Sequence, residues 1–113
     1  LTVTAPTLVS ELRDGTIRDY TITAEEMGLR PGKLDDIRTD SAEESAQMIL
    51  AILSGEDQGT PRDMALINTS GALVVAGLAD DLKQGVSLAS EAVDSGRALE
   101  KLELLKTFSQ QAA

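Results

Sequence analysis

With no His and no Cys anywhere in the chain, any chemistry here falls to carboxylates, Lys, Arg or the single Tyr. The absence of His removes the commonest general base, and the absence of Cys removes thiol nucleophiles, thiolate metal sites and disulfides. Four acidic pairs remain as candidates: Glu25-Glu26, Asp35-Asp36, Glu43-Glu44 and Asp80-Asp81. Adjacent carboxylates can hold Mg²⁺ or share a proton. Three of these pairs fall at expected helix starts, where attraction to the positive end of the helix dipole accounts for them. Asp35-Asp36 is read in a loop, where it could bind a cation weakly.

The other candidate is "NTSG", residues 68–71, inside the apolar run "DMALINTSGALVVAGLADDL". A phosphate-cradling loop needs a strand, a glycine-rich backbone and a helix N-terminus. "MALI" and "ALVVAGLA" could flank such a loop, but it has one Gly, no Lys and no second Gly at the required spacing. The upstream residues favour a helix instead. Thr60 is placed to cap it, Pro61 fits its first position, and Asp63 suits the dipole. We therefore read one buried helix with "MALINTSGALVVAG" as its body. Asn68, Thr69 and Ser70 then lie on or near a packed face, and Gly71 lets a neighbouring element approach. "NTS" also matches a glycosylation sequon, by chance inside such a helix.

The elements around these residues follow from local signals. "LTVT" reads as a short strand interrupted at Pro6. "TLVSELR" and "TIRDYTIT" flank Asp14-Gly15, a strong hairpin signal because a type I′ turn needs positive φ at both positions. Leu8 and Leu12 share one face of the first strand. On the second, Tyr20 and Ile22 point one way and Ile17 the other. "TAEEMGL" reads as one helical turn capped by Thr23 and stopped by Gly28, and "RPGKLDDIR" as a loop. Ser41 and Glu44 have capping-box spacing before the stripe Ala42, Ala46, Ile49, Leu50, Leu53, which Gly55 closes. Asp80 or Asp81 can cap the stripe Leu82, Val86, Ala89, Val93. "DSG" at 94–96 is a break, with Ser95 a new cap. Leu99, Leu102, Leu105 and Phe108 follow on one face, and "SQQAA" is expected to fray.

The chain thus divides into strands and hairpin at 1–23, a short helical turn and loop at 24–40, and a helical cluster of about four α-helices at 41–113. Its length suits one modest core. The hairpin is too small to stand alone, so we expect it to belong to a larger, mostly parallel sheet of an α/β parent fold. The net charge of −9 argues against nucleic acid or an anionic membrane as partner. No stretch reaches the ~18 apolar residues a membrane span needs, and no signal-peptide pattern opens the chain, so a cytoplasmic location is the expectation. "LTVT" opens without Met, as the middle of a strand would in a piece of a longer protein.

These residues resemble the C-terminal end of the anthranilate phosphoribosyltransferase family. "GVSLASEAVDSGRALEKL", residues 85–102, is similar to the family's Gly-x-x-x-Ala-x-x-x-Ile-Asp-Ser-Gly-x-Ala block. "LSGEDQGTPRDMALINTSGALVVAG" resembles its Arg-Asp pair and following Ala-rich helix, with "NTSGA" replacing the more Ala-rich run. "LTVTAPTLVSELRDGTIRDYTITAEEMGL" resembles its strand-hairpin segment, with Ala5 where Gly is usual. The resemblance covers essentially the whole chain. It implies a parent enzyme of roughly three times this length that moves phosphoribosyl from phosphoribosyl pyrophosphate to anthranilate, with Mg²⁺, in tryptophan biosynthesis. It also implies a homodimer formed through a separate helical domain. The family's Gly-Thr-Gly-Gly-Asp loop, Lys-His-Gly segment and anthranilate-contacting Arg have no counterpart here. Its metal-binding Asp-Glu pair falls just before Leu1. The resemblance therefore assigns no catalytic, substrate-binding or metal residue to this segment, whose partner would be the upstream remainder of the enzyme. Two other readings compete with it. One is an independent, non-catalytic protein-interaction module, and the other is a nucleic-acid-binding paralogue, disfavoured by charge.

Overall fold

The computed structural model describes residues 1–112. A two-stranded antiparallel hairpin is followed by four helices, as the residue patterns indicate. Strands β1 (Thr7–Arg13) and β2 (Thr16–Ile22) pair in register from Thr7 opposite Ile22 to Arg13 opposite Thr16. Asp14 and Gly15 take φ of 53° and 79°, the two left-handed positions that a type I′ turn demands. Asp tolerates that region because its short polar side chain costs little there, and Gly has no Cβ to clash.

The period-2 alternation settles which face is covered. Val9, Tyr20 and Ile22 turn toward the helices and join a core with Val3, Ala24, Ile67 and Leu82. Leu8, Leu12 and Ile17 turn outward and stay largely exposed. On the covered face Tyr20 donates its hydroxyl to Glu11 Oε1 at 3.2 Å, and the Arg18 guanidinium lies 4.9 Å from the Tyr20 ring centre. Burial, then the Glu11 carboxylate, push the Tyr20 hydroxyl above its ordinary pKa, so it remains a donor. Arg13 ties the hairpin to the helices by donating to the Asp80 carbonyl at 3.0 Å.

Residues 1–6 correct the expectation of a strand. "LTVT" forms no strand. Its backbone is bonded partly by neighbouring hydroxyls, the Thr2 N–H donating to Thr7 Oγ1 and the Thr4 N–H to Thr2 Oγ1, and partly by distant groups, the Val3 N–H donating to Met64 Sδ and the Val3 carbonyl accepting from the Gly32 N–H. Threonine hydroxyls offer the backbone such local partners in competition with a ladder. Val3 is nonetheless almost fully buried.

After the hairpin comes a 3₁₀ turn at Glu25–Met27, tighter than the helical turn expected, and Gly28 ends it in the left-handed conformation. A second 3₁₀ turn at Leu34–Ile37 occupies what the sequence suggested was loop. Helices α1 (Ala42–Leu53), α2 (Thr60–Val75), α3 (Leu82–Asp94) and α4 (Arg97–Ala112) complete the chain. Ser41 caps α1 and Asp81 caps α3, each accepting from the backbone N–H three residues on. The cap of α2 is Gly59, one residue before the expected Thr60. The Thr60 hydroxyl is turned away and donates to Asp36 Oδ2 at 3.3 Å. Ser95 closes α3 and also accepts from the Arg97 side chain at 3.0 Å. Helix α4 runs on through the segment expected to fray, as far as Ala112.

Helices α2 and α3 pack together at the centre. Leu66, Val86 and Ala89 make a second core cluster between them. "NTSG" lies wholly inside α2, with Ser70 fully buried and its hydroxyl donating to the Ile67 carbonyl at 2.6 Å. The expected close approach exists, but Gly71 does not make it. A Cβ on Gly71 would meet only the flexible end of Leu1 at 3.1 Å, whereas one on Gly85 of α3 would lie 2.8 Å from Ser70 Cα and Cβ. Ser70 and Gly85 are therefore the pair that lets the two helices touch backbone to backbone.

Candidate functional site

One or both carboxylates of three of the pairs are engaged in local structure: Asp35, Asp36, Glu44 and Asp81. Asp36 Oδ2 accepts from the Lys33 N–H at 3.2 Å as well as from Thr60, and Asp35 lies 3.8 Å from Arg38. Glu44 accepts from the Asp40 N–H at 2.9 Å. Asp81 caps α3, and the Asp80 N–H donates to Gln84 Oε1 at 2.6 Å. These bonds hold helix ends and turns and do not converge on a common point. Among the described residues no group of three or more acidic side chains is placed to hold a metal ion. Nor, among the described residues, is any helix long and apolar enough to cross a membrane.

The structure brings together a cluster that the motifs did not single out. The loop at residues 28–30, the first turn of α2 and one stripe of α3 enclose a half-open cavity of about 460 Å³. Arg30, Arg62 and Lys83 line it, opposed by one carboxylate, Asp63. Ser87 and Ser90 add hydroxyls from α3, where residues 83, 87, 90 and 94 stack at helical spacing. Arg62 is buried, at 8% exposure. Its Nη2 donates to Ser90 Oγ at 3.1 Å and to Asp94 Oδ1 at 3.0 Å, while its Nε has no partner. Arg30 is steadied from outside by donating to the Gln58 carbonyl at 2.7 Å.

Burial pushes the Asp63 carboxyl above its ordinary range, and the nearby Arg30 and Arg62 pull in the opposite direction. A desolvated carboxylate resists ionisation unless cations compensate. Ser90 and Asp94, four apart on α3, were the available sequence signal for this cluster. Nothing local said that Arg62 would face them.

A larger apolar groove of about 780 Å³ runs between the hairpin and the end of α2, past Val9, Leu12, Val74 and Val75. It offers shape and apolar surface but few polar groups to orient a small molecule.

Comparison with known proteins places the chain. Residues 1–99 match the glycosyl transferase family, a/b domain. The chain belongs to that family. Among its relatives, the anthranilate phosphoribosyltransferase of Thermoanaerobacter sp. (strain X514) is 42% identical over 111 residues, covering 98% of this chain and 32% of the relative. The enzyme of the same name from Methanococcoides burtonii is 46% identical over 103 residues, covering 91% of this chain and 29% of the relative. The crystal structure of anthranilate phosphoribosyltransferase (TrpD) from Thermus thermophilus superposes with a TM-score of 0.71 at 34% identity. The match covers 75% of this chain and 26% of that one. This family member thus spans about a third of the length of the curated relatives it matches.

Proposed function

We propose that residues 1–113 form the C-terminal part of the α/β domain of an anthranilate phosphoribosyltransferase. That enzyme transfers phosphoribosyl from phosphoribosyl pyrophosphate to anthranilate, a step of tryptophan biosynthesis. The observation that carries this reading is a match along 98% of the chain to enzymes of that name. A structural neighbour of the same name supports it. In this reading the segment supplies no catalytic, substrate-binding or metal residue. Its hairpin extends one end of a mostly parallel sheet, and its helices cover that sheet's face. The reacting groups come from the upstream remainder, in a cytoplasmic homodimer. The reaction calls for Mg²⁺, but the acidic pairs among the described residues lie apart and do not converge in a group of three, so in this reading other residues hold the cation.

The test is to co-express this chain with the Thermoanaerobacter relative lacking its matching third. Loss of anthranilate fluorescence in the presence of phosphoribosyl pyrophosphate reports transfer. The two parts together should be active and either alone inactive. Transfer by this chain alone, or a folded complex without activity, would overturn the proposal.

A further inference from the structure

We propose that the apolar groove between β1 and the end of α2 seats one extended, apolar segment of the upstream remainder, paired to the free edge of β1 as a third strand. This rests on reading the chain as the C-terminal part of a longer enzyme, and it names where the rest joins it.

The position of the groove comes first. Five consecutive residues of β1, Val9 to Arg13, border it, against one residue of β2, Tyr20. Side chains alternate between the two faces of a strand, so a space beneath one face meets every second residue. The smaller cavity beneath the hairpin does so, bordered by Glu11, Arg13, Arg18, Tyr20 and Ile22, all on the face turned to the helices. A space that meets every residue lies along the strand's edge.

That edge has backbone to offer. In an antiparallel pair every second residue turns its N–H and C=O away from the partner. Counting back from Arg13 opposite Thr16, the pair that closes the two-residue turn, these residues are Leu12, Ser10 and Leu8. Among the described residues no backbone bond outside the ladder engages them. The groove's polar side chains are already occupied with one another: Arg13 with the Asp80 carbonyl and Glu11, and Glu11 with Tyr20. What remains is apolar surface, including Val74 and Val75, the latter 90% exposed. A strand laid here rests one face on those valines and carries the other beside Leu8 and Leu12. It must therefore be apolar on both faces, as strands in a sheet interior are.

The occupant follows from length and from Leu1. The chain spans about a third of its relatives, so in this reading two thirds of the enzyme lie upstream. Leu1 itself borders the groove, its side chain against Gly71. Asn68 holds the Leu1 backbone with both ends of its amide: Oδ1 accepts from the Leu1 nitrogen at 3.2 Å, and Nδ2 donates to the Leu1 carbonyl at 2.9 Å. A peptide N–H can make the first bond equally well, so a chain arriving from upstream enters beside the groove.

The experiment mixes the isotope-labelled chain with the Thermoanaerobacter relative lacking its matching third and follows amide hydrogen exchange by NMR. The Leu8, Ser10 and Leu12 amides should exchange fast in the chain alone and at least about tenfold more slowly in the active mixture. Ser10→Pro removes one outward donor without touching the bonds to β2. It should raise the amount of chain needed for half-maximal activity by about tenfold or more. Asp19→Pro also breaks the Ser10–Asp19 side-chain bond, but on the opposite edge, and should not. Val75→Lys, at an exposed helix end that favours a cation, should act like Ser10→Pro. Fast β1 amides in an active mixture, or equal effects of the two prolines, would overturn the proposal and leave the enzyme assignment standing. Protection that appears in the chain alone and grows with its concentration would give the groove to a second copy and also overturn it. An inactive mixture would sink both.

Discussion

A missing side chain sets the distance between the two central helices. Gly85 faces Ser70 so closely that any Cβ would press on backbone as well as side-chain atoms. Backbone cannot swing aside as a rotamer can. Gly85→Ala should therefore destabilise the fold by about 1–3 kcal/mol, read from urea denaturation. Gly71→Ala should cost less, because the end of Leu1 can move. The sequence drew attention to Gly71 because it interrupts an apolar helix. It could not show which face of that helix would meet α3, since that depends on a contact made far along the chain. Asp63 carries a second prediction. Burial raises its carboxyl above the ordinary 3.8, so the folded state keeps that proton to higher pH than the unfolded chain does. Its contribution to stability therefore falls as pH rises from about 3.8 through the folded value. Asp63→Asn removes this loss. The stability of the variant relative to the parent should improve between about pH 3 and pH 7, and a constant difference would contradict the assignment.

Among the elements, those read correctly are fixed by residues close together in the chain. Asp14-Gly15 makes its turn, Ser41 and Asp81 make their caps, and Gly28 ends its 3₁₀ turn. Each depends on φ preferences or on a side chain reaching its own backbone, so short-range chemistry decides it. Replacing Asp81 with Ala should lower stability by about 1 kcal/mol, with the loss of helical signal starting at α3. The misread elements depend on distant partners. Thr60 would have capped α2, but Asp36, far away in sequence, claims its hydroxyl. "LTVT" has strand-forming residues, but beside its bonds to nearby threonines its backbone is held by Asn68, Met64 and Gly32, far along the chain. The Leu99–Phe108 stripe of α4 was legible as a stripe, yet Leu105 and Phe108 remain exposed. Periodicity reveals an apolar face and is silent on what covers it. The cationic cavity was hidden for the same reason, since Arg30, Arg62 and Lys83 are scattered in sequence and meet only when α2 and α3 pack.

The whole molecule is more extended than its length requires. Its radius of gyration is 15.3 Å and its extents are 44 × 31 × 25 Å, against about 13 Å for a compact domain of ~100 residues. Leu8, Leu12 and Ile17 on the hairpin, Val75 and Leu78 at the end of α2, and Leu104, Leu105 and Phe108 on α4 all stay exposed. Surfaces of this kind mark places where other protein normally lies. The chain alone should therefore bind an apolar dye such as anilinonaphthalene sulfonate strongly. Adding the remaining two thirds of a relative should quench that signal, and an unchanged signal would mean these surfaces stay bare in the assembly. The hairpin adds a directional consequence. With two strands in its sheet, both outer backbone edges present N–H and C=O groups without a strand partner, and the outer face between them carries Leu8, Leu12 and Ile17 beside Ser10, Asp19 and Thr21. Such a ribbon is a template. An extended segment laid along either edge acquires its register from the hairpin already formed, so the same feature can guide correct sheet growth or, between identical chains, seed fibres.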